Sequence, residues 1–216
     1  MRRMQIERWR SFAILALLLI FGTGIAGAQE AAAPAIPREP AAQFKLMISA
    51  YADGAPIPTP FSCAAQRDER GDLHSHLNPA LKWTDAPKGT ASFAIIFHDI
   101  EGTGNPRNGY IDSMHWLVWN IPANSTQITE NLPVMPELPD GTRQGTNIAR
   151  RIGYQGACGG ASAPGAKPHH FVMMLYALDQ MLDLKGGASA ADLIKAMDLH
   201  ILGKSAYVGL EQSPGN

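Results

Sequence analysis

Cysteine is scarce in this chain: among 216 residues only Cys63 and Cys158 carry a thiol. No cysteine follows the apolar stretch near the N-terminus, so nothing there suits lipid attachment. Basic runs are absent as well. Lys and Arg number 18 against 19 Asp and Glu, and a chain so balanced has no electrostatic footprint for nucleic acid and no basic amphipathic face for tight binding to a membrane surface. The chain has no H-E-x-x-H, no G-x-S-x-G, and no two histidines at helical i, i+4 spacing with an acid between, which removes the motif-borne routes to zinc protease and serine hydrolase chemistry. The glycine-rich GACGGASAPGAKP has none of the spacing of a dinucleotide or P-loop fingerprint. No internal repeat is visible.

What is present points to one globular domain with a sizeable core: 45% of the residues are hydrophobic and 17% charged. The first ten residues carry four arginines; an apolar stretch from Phe12 to Ile25 follows, and Ala26-Gly27-Ala28 makes an A-x-A exit. That order is the tripartite form of a secretory signal peptide over residues 1–28, with a periplasmic or secreted mature protein. The competing reading is a retained anchor, but the apolar core is short for a span of about 20 residues. Removal of the leader takes away four arginines and Glu7, leaving 14 basic against 18 acidic residues and a net charge of −4, with no stable membrane span. Residues 29–42 are rich in alanine and proline and read as a spacer. The folded domain is expected over 43–216.

Within that domain the strand signals dominate. Phe44, Leu46 and Ile48 alternate with more polar residues, as in a strand with one buried face. Phe93–Phe97 and His115–Trp119 are short, nearly continuous apolar runs that read as buried strands, and Phe171–Leu178 is a third. One strand ends in His98, Asp99 and Glu101 while the next begins at His115, so polar groups collect at one end of the sheet. The segment from Phe61 to Trp83 reads mainly as loop, with His76 on its surface. Prolines at 133, 136 and 139 forbid a regular helix or central strand between Ala123 and Gly141. Arg143, Arg150 and Arg151 read as solvated charges. Ser189 followed by Asp192 opens a helix running through Leu193, Ile194, Met197 and Ile201, with Gly203 as its stop and His200 as a structural residue beside the apolar stripe. The residues alone therefore predict a mainly β domain with one C-terminal helix.

HWLVWNIPA (His115 to Ala123) resembles the central signature of the phosphatidylethanolamine-binding protein family, in its bacterial Raf-kinase-inhibitor-like branch. HLNPALKW, FAIIFHD, GTRQGTNIARRIGYQGAC, HHFVMMLYALD and AADLIKAMDLHILGKSAYVG extend the likeness in the same order over most of the chain after the leader. The resemblance implies a central antiparallel sheet packed on a smaller sheet. It also implies a pocket in which His115 and His169 bind an anionic headgroup beside Asp99, with Glu101 as a weaker candidate. Asn78, Pro79, Gly156 and Phe171 are possible walls. An anion needs donors, and imidazole and backbone N–H supply them, while Asp99 can orient a histidine or accept from an ammonium.

Several positions depart from the family pattern. D-P-D-A-P becomes Asp99-Ile100-Glu101-Gly102, G-P-C-P-P becomes Gly156-Ala157-Cys158-Gly159-Gly160, and a tyrosine becomes Phe171. Looser walls and one fewer hydroxyl donor follow. The two cysteines fall in loops that the family places near the site, and in an oxidising compartment such a pair is usually bridged, which implies a Cys63–Cys158 disulfide. The resemblance thus favours an exported binder of phosphate, phosphoethanolamine or a similar small anion, without catalysis, metal or cofactor. Two alternatives stand beside it: a metal- or histidine-dependent hydrolase, and an inhibitor or scaffold acting on a protein partner that no motif identifies. His169-His170 cannot both ligate one metal in a regular strand, since strand neighbours point to opposite faces.

Overall fold

A computed structural model describes residues 43–63, 76–102, 112–158 and 167–211; the predicted leader and spacer lie outside the described residues. The elements are β1 (Lys45–Ile48), β2 (Ala55–Pro56), β3 (Leu81–Thr84), β4 (Ser92–Asp99), β5 (Ser113–Pro122), β6 (Gln127–Ile128), β7 (Arg143–Gln144), β8 (His169–Leu178), α1 (Ala190–Met197) and β9 (Ile201–Glu211). They form a six-stranded sheet in the order β2-β9-β8-β4-β5-β7 and a three-stranded sheet in the order β1-β3-β6. All pairings are antiparallel except that of β2 with β9. The mainly β architecture of a large sheet on a smaller one is therefore the one expected.

The continuous apolar runs have a structural cause, because the large sheet is covered on both faces. On one face Phe93, Ile95, Phe97, Phe171, Met173 and Leu175 pack with Leu46, Ile48, Leu81 and Trp83 of the smaller sheet. On the other, Ala94, Ile96, Leu117 and Trp119 meet Leu193 and Met197 of α1. A strand buried on both faces has no position for a polar residue until it leaves the core. β4 turns polar only at His98 and Asp99, its last two residues. Each fully buried Leu or Phe side chain contributes roughly 1.5–3 kcal/mol, so burial on both faces of β4 and on the inner face of β8 makes them the rigid base for whatever stands at their ends.

The helix starts as expected and ends earlier. The Ser189 hydroxyl accepts from the Asp192 N–H at 3.2 Å and the Asp192 carboxylate accepts from the Ser189 N–H at 3.3 Å, a reciprocal cap. The helix stops at Met197, and Leu199 takes the left-handed region with φ 65°. Ile201 then opens β9, which pairs with β8 from Leu178↔Ile201 to His169↔Glu211. Gly203 is a mid-strand residue, where a Cβ would come within 2.7 Å of Pro87.

Two further expectations are corrected. Leu81–Thr84 is a strand rather than loop, with Leu81 and Trp83 inward and Lys82 and Thr84 outward. Arg143 is no free surface charge: its guanidinium donates to the Leu184 carbonyl at 2.6 Å and pairs with Glu137.

Candidate functional site

The end of β4 carries a buried carboxylate. Asp99 follows Phe93, Ile95 and Phe97 on the face toward the smaller sheet, and the unbroken β4–β8 register sets it opposite Phe171. Burying a carboxylate is costly unless its oxygens are satisfied. Here Oδ1 accepts from the Glu101 N–H at 3.0 Å and Oδ2 lies 2.7 Å from Nδ1 of His169. Gly102 lets the chain turn this tightly: a Cβ there would come within 2.9 Å of Oδ2 and closer still to the Ser113 hydroxyl. His169 shares its face of β8 with Phe171 and is partly open to solvent, whereas Asp99 is 2% exposed.

His170, the next residue, turns to the opposite face and pairs with Glu101. The Glu101 carboxylate accepts from the His170 N–H and lies against its Nδ1, both at 2.7 Å. Desolvation is the largest single influence on the Glu101 carboxyl and acts to raise it, but the hydrogen bonds and charge of His170 together outweigh it and hold the group below the usual carboxylate range. The paired histidines therefore separate as strand geometry demands, and Glu101 belongs to the second pair.

His115 reaches the site through an irregularity in β5. Phe97 pairs with Trp116, but His98 pairs with Met114, so His115 is an extra residue opposite the Phe97–His98 step. Such a bulge re-aims a side chain. Strict alternation would send His115 and Trp116 to opposite faces; instead the His115 ring lies edge-on to Phe171 at 4.9 Å and to Phe97 at 6.0 Å, on the face that holds Asp99. Its Nδ1 lies 3.0 Å from the Gly156 carbonyl oxygen and 3.3 Å from that of Gln155. Burial pushes the His115 pKa below its ordinary value, against the opposing pull of those carbonyls and of the Asp99 charge.

The loop that supplies these carbonyls is fastened at several points. Cys63 and Cys158 form a disulfide, with Cα atoms 5.1 Å apart. Beside it the Cys63 N–H donates to the Ala157 carbonyl at 3.0 Å, the Ala157 N–H donates to that of Phe61 at 3.2 Å, and the Tyr154 hydroxyl donates to the same Phe61 carbonyl at 2.9 Å. The Tyr154 ring stacks on Phe97 at 5.4 Å. Where prolines were expected to be missed for rigidity, a covalent bridge and a buried aromatic hold the loop.

The other expected residues divide. Gly156 and Phe171 touch His115 directly, one through its carbonyl and one through its ring. Asn78 and Pro79 are buried, and the Asn78 amide is committed to backbone, donating to Pro79 and Thr129 and accepting from the Leu132 N–H. Asn78 thus braces the 129–132 segment. His76 is half-buried, with Nδ1 3.3 Å from the Tyr154 carbonyl, rather than a loose surface histidine. Tyr154 and Gln155 stand in the family-like stretch GTRQGTNIARRIGYQGAC, but nothing in the sequence gives either of them a part beside His115.

Asp99, Glu101 and His169 bring ligand-type atoms within 4.8 Å of one another, a spacing that a metal ion can bridge. Those groups are engaged otherwise, Asp99 with His169 and Glu101 with His170. His115, His169 and Asp99, from three segments of the chain, thus lie on one face of the sheet beside Phe97 and Phe171.

The sequence profile described as phosphatidylethanolamine-binding protein matches residues 48–212. The chain belongs to the phosphatidylethanolamine-binding protein family. It is 34% identical to a UPF0098 protein of Methanothermobacter thermautotrophicus, over 77% of this chain and 97% of that one. It is 30% identical to LppC of Mycobacterium tuberculosis, a protein whose name describes it as a lipoprotein, over 83% and 76% of the two chains. Among solved structures, Escherichia coli YbcL, described as a member of the mammalian family, superposes with a TM-score of 0.66 at 25% identity, covering 79% of this chain and 99% of that one. A family homologue from Chlamydia trachomatis gives 0.60 at 27%, covering 78% and 96%. Within the family fold, Asp99, His115 and His169 are the residues that this chain's own geometry gathers.

Proposed function

We propose that this protein is an exported, non-catalytic binder of small phosphate-bearing or otherwise anionic molecules, held at the end of the large sheet by His115 and His169 with Asp99 as supporting acid. The observation that carries the reading is the meeting of a buried imidazole and an acid-paired imidazole on one face, reached from three separate segments of the chain. Family membership supports a small ligand. The expected test is calorimetric titration of phosphate and phosphoethanolamine into the wild type, His115→Ala and His169→Ala. Loss of a hydrogen bond to a charged group weakens binding by about 1.5–3 kcal/mol, or roughly tenfold to a hundredfold. Unchanged affinity in both variants, with the fold intact, would remove these histidines from the site.

Export is supported by the leader-like N-terminus, by the Cys63–Cys158 bridge and by the likeness to a relative named as a lipoprotein. Disulfides persist in oxidising compartments and are rare in the cytosol. The mature chain is expected to begin at Gln29, read by N-terminal sequencing of protein from the cell envelope or medium. Recovery of soluble cytoplasmic protein with residues 1–28 intact would refute export.

A further inference from the structure

We propose that the His115 end of the pocket takes a phosphoryl oxygen that still bears its proton, so that the site selects phosphate monoesters and inorganic phosphate over phosphate diesters. The inference rests on the anion-binding reading above and adds the substrate class. It starts from which ring nitrogen is occupied. A carbonyl oxygen can only accept, so Nδ1 of His115, facing the Gly156 and Gln155 carbonyls at 3.0 and 3.3 Å, must carry the hydrogen. In a neutral imidazole Nε2 is then a bare lone pair. It makes no hydrogen bond among the described residues.

An acceptor facing an anion is productive only if a proton lies between them. That proton comes either with the ligand, as P–OH, or from solvent onto the ring. The second route works against burial, which disfavours the charged imidazolium at this 3%-exposed position. A monoester has a second ionisation near about pH 6 and brings its own proton at modest cost. A diester has no such proton, so only the solvent route is open to it.

The other groups around the ring do not remove this requirement. From β4, Asp99 favours a charged ring while His98, itself 2.8 Å from Asp112, opposes it. The 154–158 loop offers carbonyls, a disulfide that does not titrate, and a Tyr154 phenol whose burial keeps its proton. From β8 come the apolar edge of Phe171 and His169, whose Nδ1 is occupied by Asp99. His169 therefore has Nε2 for the ligand, and when protonated it donates to an ionised oxygen. The acceptor at His115, with a donor at His169 when that ring is charged, matches the two kinds of oxygen on a monoprotonated phosphate.

Calorimetry with methyl phosphate and dimethyl phosphate tests this on the wild type, run in two buffers of different ionisation heat so that protons taken up are counted. At about pH 6.5 methyl phosphate is expected to bind at least about tenfold more tightly than dimethyl phosphate; above about pH 7 its binding should take up at least one proton and weaken by at least about tenfold per pH unit. His115→Gln, whose amide can donate as well as accept, should narrow the monoester preference. Equal binding of the two esters, or tighter binding of the methyl phosphate dianion with no proton taken up, would overturn the proposal while leaving anion binding intact. Binding of neither ester nor of inorganic phosphate would overturn the anion-binding reading itself.

Discussion

Replacing Cys63 and Cys158 together by alanine is expected to lower the stability of the domain by about 4–5 kcal/mol relative to the oxidised wild type. The bridge spans 95 residues, and in the chain-entropy view a long closed loop restrains the unfolded chain most. Total stability of a domain is only about 5–15 kcal/mol, so the loss is a large share of it. The effect should reach the site as well. The bridge holds the Cys63 segment against Ala157, and the adjoining Gln155 and Gly156 carbonyls orient His115. Denaturant unfolding of both forms, beside phosphate titration under native conditions, reads the two effects separately. A stability change below about 1 kcal/mol would mean that the non-covalent contacts of the loop suffice. Free-thiol titration of the denatured, unreduced wild type should find no reactive thiol.

Phe97→Ala is expected to destabilise by about 3–5 kcal/mol and to weaken ligand binding although residue 97 offers no polar group. Phe97 is fully buried near the C-terminal end of β4, stacked on Tyr154 and in ring contact with Phe171 and His115. Removing the ring leaves a cavity between the two sheets and takes away one of the two aromatic supports of His115. Phe97→Leu, which keeps most of the volume, should cost far less stability, so a loss of affinity there would report positioning of His115 rather than general loosening. Equilibrium unfolding and calorimetry on both variants measure this, and a Phe97→Ala protein as stable as wild type would contradict the packing described.

Much of the framework was legible along the chain because its cause is local. The apolar runs Phe93–Phe97, His115–Trp119 and Phe171–Leu178 are β4, β5 and β8; β4 and β5 are covered on both faces, which admits little else, and β8 is buried on one face and partly covered on the other. The Ser189 cap was readable for the same reason, being a contact over three residues. The end of that helix is not legible in the sequence because Ile201 continues a helical spacing that Leu199 breaks through its backbone, and β9 exists by virtue of pairing with β8. β3 escaped notice because four residues of alternation inside a proline-flanked stretch become a strand only when β1 and β6 lie alongside.

For the candidate site, the family-like motifs point to Asp99, His115 and His169, and local patterning puts each at a strand end. The pairing of His169 with Asp99 and of His170 with Glu101 joins residues about seventy positions apart and follows from the β4–β8 register. The bulge in β5 that turns His115 to the same face as Trp116 leaves no mark in the sequence, because it is a mismatch between two strands and belongs to neither alone. The hydrogen-bonded nitrogen of His115 is likewise decided by carbonyls forty residues away, on a loop whose place depends on Cys63 and Phe61. Sequence by itself determined the strands, the cap and the chemistry available at their ends, since burial and capping act between near neighbours. Only the tertiary structure decided which face each side chain shares and which imidazole nitrogen is left for a ligand, since both depend on contacts between distant segments.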